Sequence, residues 1–244
     1  SQGAPVPGRG KKTRGTFHMT VSRKRPNTGN TSGDTGLWIS AGGYGIKPPG
    51  KTWLWLDPLL FPEDEELCRN YVVSAVRKGA KNFVLNSPWQ IELFNNPERL
   101  NLWAGPFCNI SNSKMLGMLK SHGFSGAIVS PELDRETFLS LPANAPFPLG
   151  AVIRGNWPLA VSRIISEDLT IGQAFTSPKG EEAWTSKSNK IYYTFPNWPL
   201  DLSSQQQDLE SAGYRMFVTL KEHIPKGITL KKRPGLWNWN LNLI

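Results

Sequence analysis

From Leu37 onward, short β-branched or aromatic runs take turns with segments of helical periodicity. That alternation constrains the fold most, because strands and helices in turn call for a parallel sheet with crossover helices. Trp53-Leu54-Trp55-Leu56 suits a buried strand. After Pro58 and Pro62, the acids Glu63, Asp64, Glu65 and Glu66 place negative charge at the positive end of a helix. Leu67, Tyr71, Val72, Ala75 and Val76 give that helix its apolar face, and Gly79 its C-cap. Further strands are predicted over 82–85, 100–103, 126–129, 147–153, 190–195 and 214–220. Between them, Asn109-Ile110-Ser111-Asn112-Ser113 offers N-caps to a helix carrying Met115, Leu116 and Leu119, which Gly123 ends. Residues 134–141 form a short helix, and Asp201 caps another that runs through Leu202, Leu209 and Ala212 to Gly213. The expected fold is α/β, with parallel βα units in a TIM-barrel-like arrangement, incomplete or distorted forms included.

A chain of 244 residues can bury one sizeable core. Residues 1–36 are rich in Gly, Ser, Thr, Pro, Arg and Lys, with Phe17 and Met19 among few large apolar groups, and read as a basic flexible linker or tail. The barrel-like domain is expected over 37–244. Gly33-Asp34-Thr35-Gly36 and Gly42-Gly43-Tyr44-Gly45 lack a phosphate-loop or dinucleotide pattern and read as turns. The alternating run from Leu236 through Trp237 and Trp239 to Leu241 could add an edge strand or dock on another domain. Because the chain begins at Ser1, it is expected to be a piece of a longer protein, with an upstream domain or a partner subunit as its natural partner.

The net charge of +9 is unevenly placed: residues 1–36 carry +6 and 221–244 carry +4, which leaves −1 between them. A nearly neutral body with basic ends reads as a globular domain with solvated tails. RNA binding through those ends is the competing expectation. Cys68 and Cys108 are the chain's two cysteines and are not at metal-ligand spacing, so a reducing, cytoplasmic setting is expected. No run of about 18 apolar residues marks a membrane span, and no charged-then-apolar leader is visible.

Three segments in order resemble the collagenase-like peptidase family, peptidase family U thirty-two. Asn109-Ile110-Ser111-Asn112-Ser113 with the following residues to Phe124 is similar to its strand, Asn-rich loop, helix and Gly unit. Ala127-Ile128-Val129-Ser130-Pro131-Glu132-Leu133-Asp134 is similar to its leucine-serine-x-glutamate-leucine strand end. Gly155, Pro158, Leu159, Ser162 and Arg163, then Ser177-Pro178-Lys179-Gly180 and Pro199-Leu200-Asp201-Leu202, resemble the downstream half of its signature. The resemblance spans about residues 53–220 and implies a barrel that handles peptides, or one of the family's base- and quinone-hydroxylating relatives, commonly with an iron–sulfur cluster. This chain departs where that chemistry resides. Gly150, Val152 and Arg154-Gly155 stand where the family has a glutamate, a phenylalanine-bearing strand and a histidine-glycine, and Ile165 stands at the cluster cysteine. Residues 170–177, aligned with the cysteine-rich stretch, contain no cysteine. Such a cluster needs about four thiolates, so no cofactor and no metal is expected. The resemblance then implies a degenerate or accessory substrate-positioning segment, its catalytic standing open, with peptide or RNA as substrate.

In such folds functional residues sit just past the carboxyl ends of strands. Those positions are Asp57, Asn86, Asn109, Asn112, Ser130, Glu132, Arg154, Asn156 and Thr219. Glu132 with Arg154 is the candidate catalytic pair, and Asn109, Asn112, Ser130, Asn156 and Trp157 are candidate substrate contacts. Asn112 also suits a helix cap, and Glu132 with Arg154 also suits a structural ion pair. His18, His122 and His223 form no metal motif. His122 suits the negative end of its helix, and Cys108, without a neighbouring histidine, suits a buried apolar site.

Overall fold

The computed structural model describes residues 15–24, 33–40, 52–176 and 180–232. Eight parallel strands close into a barrel: β1 (Phe17–Ser22), β2 (Asp34–Ile39), β3 (Trp53–Leu56), β4 (Asn82–Leu85), β5 (Asn101–Ala104), β6 (Gly126–Ile128), β7 (Leu149–Gly155) and β13 (Met216–Lys221). They pair in sequence order from β1 to β7, and β13 shuts the ring between β7 and β1. The barrel is complete, as the alternation of elements leads one to expect. Strands inside such a barrel are covered on both faces and read as continuous apolar runs, and all four residues of β3 are buried.

The first strand lies within the stretch whose composition reads as a tail. Phe17-His18-Met19-Thr20-Val21-Ser22 alternates apolar with polar residues, and Met19 and Val21 are fully buried between β13 and β2. Six residues of period two outweigh the surrounding Gly and Lys, because ladder bonds on both edges offset the ordering entropy. The barrel therefore begins before residue 37. Asp34 to Gly36, read as part of a turn, opens β2 instead. The segments 41–51 and 236–241 lie outside the described residues.

Helix α1 (Glu65–Arg77) crosses from β3 to β4 and buries Cys68, Tyr71, Val72 and Ala75. Leu67 faces solvent rather than the core. Helix α2 (Ser113–Ser121) joins β5 to β6, with Asn112 Oδ1 accepting from Met115 N at 2.9 Å and His122 at its C-cap. Helix α3 (Arg135–Ser140) joins β6 to β7 under the Asp134 cap, and α4 (Gln206–Ala212) leads into β13. Between β4 and β5 the described crossover is built from short 3-10 turns.

A second sheet is inserted between β7 and α4. β8 (Ala160–Ser162), β9 (Ala174–Thr176), β10 (Glu182–Ser188) and β11 (Ile191–Pro196) form an antiparallel layer ordered β8-β11-β10-β9, and β12 (Leu200–Asp201) returns alongside β7. The run at 190–195 is thus a strand, but one of the insert rather than of the barrel. Trp184, Ile191, Tyr193 and Phe195 form the insert's own core. Leu59 and Phe61, from the loop after β3, and Phe107, from the loop after β5, pack against that core. The insert consequently sits over the carboxyl ends of the barrel strands.

Candidate functional site

Three charged side chains follow directly on the ends of barrel strands: Arg23 after β1, Asp57 after β3 and Glu222 after β13. Closure of the ring brings β13 beside β1, so residues nearly two hundred positions apart meet. Arg23 Nε donates to Glu222 Oε2 at 2.8 Å, and its Nη1 lies 3.4 Å from Asp57 Oδ1 and 3.1 Å from Ser188 Oγ on β10. Tyr193, on β11, donates its hydroxyl to Asp57 Oδ1 at 3.2 Å. The guanidinium lies over the rings of Trp38 and Tyr193, 4.9 and 4.4 Å from their centres, where the ring quadrupole favours a cation. The Asp57 and Glu222 side chains are 7% and 8% exposed, against 21% for Arg23.

Two buried carboxylates thus share one cation. Burial pushes the Asp57 carboxyl up to about 6, although Arg23 and the Tyr193 hydroxyl act to lower it. Burial raises Glu222 as well, against the pull of Arg23. Burial disfavours the charge on Arg23, but Glu222 and its other partners outweigh that and hold it protonated. Displacement of a carboxyl toward neutrality is found at functional sites and in structural ion-pair networks alike. Here the insert closes over it: Tyr193 and Ser188 clamp it from above, and Lys190 adds a second tie to Glu63 and Asp64, each at 2.9 Å.

Beside this joint, over the carboxyl ends of β4 to β7, lies an open cleft of about 380 Å³. Asn86, Phe107, Asn109, Glu132 and Trp157 line it, with β8 along one side. Its aromatic wall is Phe107 and Trp157, whose ring centres lie 4.4 Å apart, and behind it Phe107 meets Trp38 edge-on with ring centres 6.0 Å apart. Trp157 Nε1 donates to Glu132 Oε1 at 3.1 Å. Asn86 Nδ2 donates to Leu56 O at 2.9 Å, and a Cβ on Gly105 would collide with the Asn86 amide, so glycine there is what lets this side chain lie flat. Asn109 stands in the left-handed region at φ 52°, which asparagine tolerates better than most residues.

Of the residues singled out in the sequence, Asn109, Glu132 and Trp157 meet in this cleft. Asn112 caps α2. Ser130 is buried, its hydroxyl 3.3 Å from Glu132 N, which it holds in place. Arg154 is exposed and stands opposite Asp201 in the β7–β12 register, where it helps lower that carboxyl. Asn156 is buried at the end of β7 with Oδ1 unpartnered among the described residues. Sequence reasoning marked Asp57 as a strand-end position but missed Arg23, Glu222 and Tyr193. The available signal was a strand-like run followed at once by a charged residue, alternating at Phe17 to Ser22 before Arg23 and continuously apolar from Met216 to Val218 in the run before Glu222.

The thiols do not fit an iron–sulfur cluster. Cys68 is buried on α1, and Cys108 follows β5, where burial pushes its thiol up to about 12 as it donates to Leu85 O at 3.3 Å. A cluster needs thiolates converging on one point. Residues 165 and 170–177, where the family's cysteines would align, supply none, and no group of three or more His, Cys, Asp or Glu able to hold a metal gathers among the described residues. No described helix is long and apolar enough to cross a membrane.

Comparison with known proteins gave no matching family model and no matching curated protein. A solved structure described as that of the U32 peptidase Mk0906 superposes with a TM-score of 0.53 at 10% identity, covering 90% of this chain and 98% of the other. At that identity the likeness establishes the fold, and the chain shares its closed parallel barrel with a U32 peptidase.

Proposed function

We propose that this chain is a peptidase-type barrel that binds and positions a peptide and leaves bond cleavage to another part of a larger assembly. The observation that carries the reading is the cleft on the carboxyl face, where barrel enzymes place their ligands. At about 380 Å³ it lies at the small end of the roughly 300–1,000 Å³ typical of ligand sites, room for a residue or two of an extended chain. Its lining is an aromatic wall with a few polar groups, and its cysteine is a buried, protonated thiol rather than a nucleophile. Glu132 is held by an indole N–H and a serine-propped backbone, a geometry for orienting a ligand. The RNA reading draws no support from the structure, since Arg23, one of the basic residues it relied on, is consumed inside the buried cluster.

A fluorescent peptide library titrated against the purified chain tests this. Binding without hydrolysis, lost at least tenfold in Trp157→Ala, is the expected result. Cleavage of those peptides by the isolated chain, abolished by Glu132→Gln, would show instead that the cleft is a catalytic centre.

A further inference from the structure

The outer layer of the barrel has a gap beside α1. Helix α1 covers the step from β3 to β4, but the crossover from β4 to β5 is made of short 3-10 turns and lays no α-helix next to it. Leu93 and Phe94 from that crossover fold down on the outer side of the barrel, where Phe94 meets Phe83 of β4 edge-on with ring centres 4.9 Å apart. Between them and α1 an open cavity of about 300 Å³ remains, with Val72 and Val76 on one side and Leu93, Phe94 and Leu100 on the other. The end of α1 and the start of β5 place it toward the amino ends of the strands, away from the cleft over their carboxyl ends. Two charged side chains line it, Arg77 in the last turn of α1 and Arg99 just before β5, and both are exposed cations. Among the described residues Arg77 pairs with no acid, and Arg99 meets its neighbour Glu98 at 3.9 Å with both side chains well in solvent.

We propose that this cavity binds a medium-chain alkyl carboxylate, with the chain between α1 and the β4–β5 crossover and the carboxylate on Arg77 and Arg99. Apolar walls favour a hydrocarbon chain over the water it displaces. A methylene needs roughly the 30 Å³ that a water takes in the liquid, so the space suits about ten carbons. The walls also select against a peptide. Apart from Asn95 and Asn96 the uncharged lining is apolar, and a peptide's backbone groups would be buried there without partners. The guanidiniums select the head. Each presents paired N–H donors to a carboxylate, and with no acid among the lining residues a cationic head would meet repulsion alone.

This inference is independent of the peptide reading, because cavity and cleft share no lining residue. Calorimetry with decanoate, octanoate and octanol, each below its micelle concentration, tests it. Octanoate should bind about tenfold or more tightly than octanol, and decanoate about tenfold more tightly than octanoate through two further buried methylenes. Arg77→Gln with Arg99→Gln should erase the preference for octanoate over octanol while octanol binding and the melting temperature hold, since both side chains are exposed. Val73→Trp, which fills the cavity from α1, should abolish binding of all three; if that variant does not fold, the arginine pair decides alone. Decanoate that fails to bind, equal affinity for octanoate and octanol, a preference that survives the double arginine variant, or unchanged binding to folded Val73→Trp overturns the proposal. A short peptide ending in a free Leu-Leu carboxylate that outbinds decanoate, and loses its advantage in the double variant, would make the occupant a protein C-terminus and overturn the alkyl ligand.

Discussion

Replacing Asp57 by asparagine should stabilise the protein at neutral pH, although it removes one half of a buried ion pair. Breaking such a pair is usually costly, but this cluster sets two buried carboxylates against one guanidinium. The folded state holds the Asp57 proton up to about pH 6, against an ordinary value of 3.8. In that window the native protein binds more protons than the unfolded chain, so stability falls as pH rises. The contribution is fully present below pH 3.8 and lost once pH passes about 6. Roughly two pH units at 1.36 kcal/mol each put the loss near 3 kcal/mol as an upper figure. Asparagine keeps the Oδ1 that accepts from Tyr193 and Arg23 and leaves Arg23 matched one to one with Glu222. Its amide N–H groups need new partners, at about 1 kcal/mol. The net gain at pH 7.5 is then about 1–2 kcal/mol, or about 2–8 °C in melting temperature. Below pH 4, where aspartic acid is already neutral, the advantage should vanish. Urea unfolding of both proteins from pH 4 to 8 measures this directly. A wild type that grows more stable between pH 4 and 6, with Asp57→Asn weaker than it at pH 7.5, would mean that Asp57 is a favourable ion-pair partner and that the reasoning is wrong.

Arg23→Met leaves Asp57 and Glu222 buried without their shared cation, and should cost about 3–5 kcal/mol at pH 8; most of that should return at pH 5, a recovery that urea titration at the two pH values would show or refute. Gly126→Ala would drive a methyl group into the Trp103 indole in the barrel core, at about 1–3 kcal/mol, readable as a lowered melting temperature with the peptide affinity of the folded fraction unchanged.

The barrel was legible wherever apolar runs were long enough to bury both faces of a strand. β3, β4, β5 and β7 sit within a residue or two of where hydrophobicity and turn residues put them. α2 begins where the Asn112 cap dictates, since a side chain able to hold a free backbone N–H is a local signal that needs no tertiary contact. β1 was hidden by its surroundings. Averaged over residues 1–36, glycine and charge outweigh three apolar side chains, although at a window of six the alternation is plain. β11 was legible as a strand but not as to its sheet, because propensity reports a fit to a pleated surface and not to which one.

The site divides along the same line. Asn109, Glu132 and Trp157 were found because a parallel barrel fixes which end of each strand matters, and that rule needs only strand boundaries. Arg23, Asp57, Glu222 and Tyr193 converge through two events a linear reading does not register: closure of β13 against β1, and the folding back of the insert over the strand ends. The same insertion explains the chemistry. By burying Asp57 and Glu222 it turns charged strand ends, the usual catalytic positions of such a barrel, into a joint that holds the insert down. What remains open among the described residues is the stretch over β4 to β7, where β8 supplies one wall. Half of the barrel's carboxyl face is thus spent on fastening a second sheet, and the other half is a cleft walled by Phe107 and Trp157.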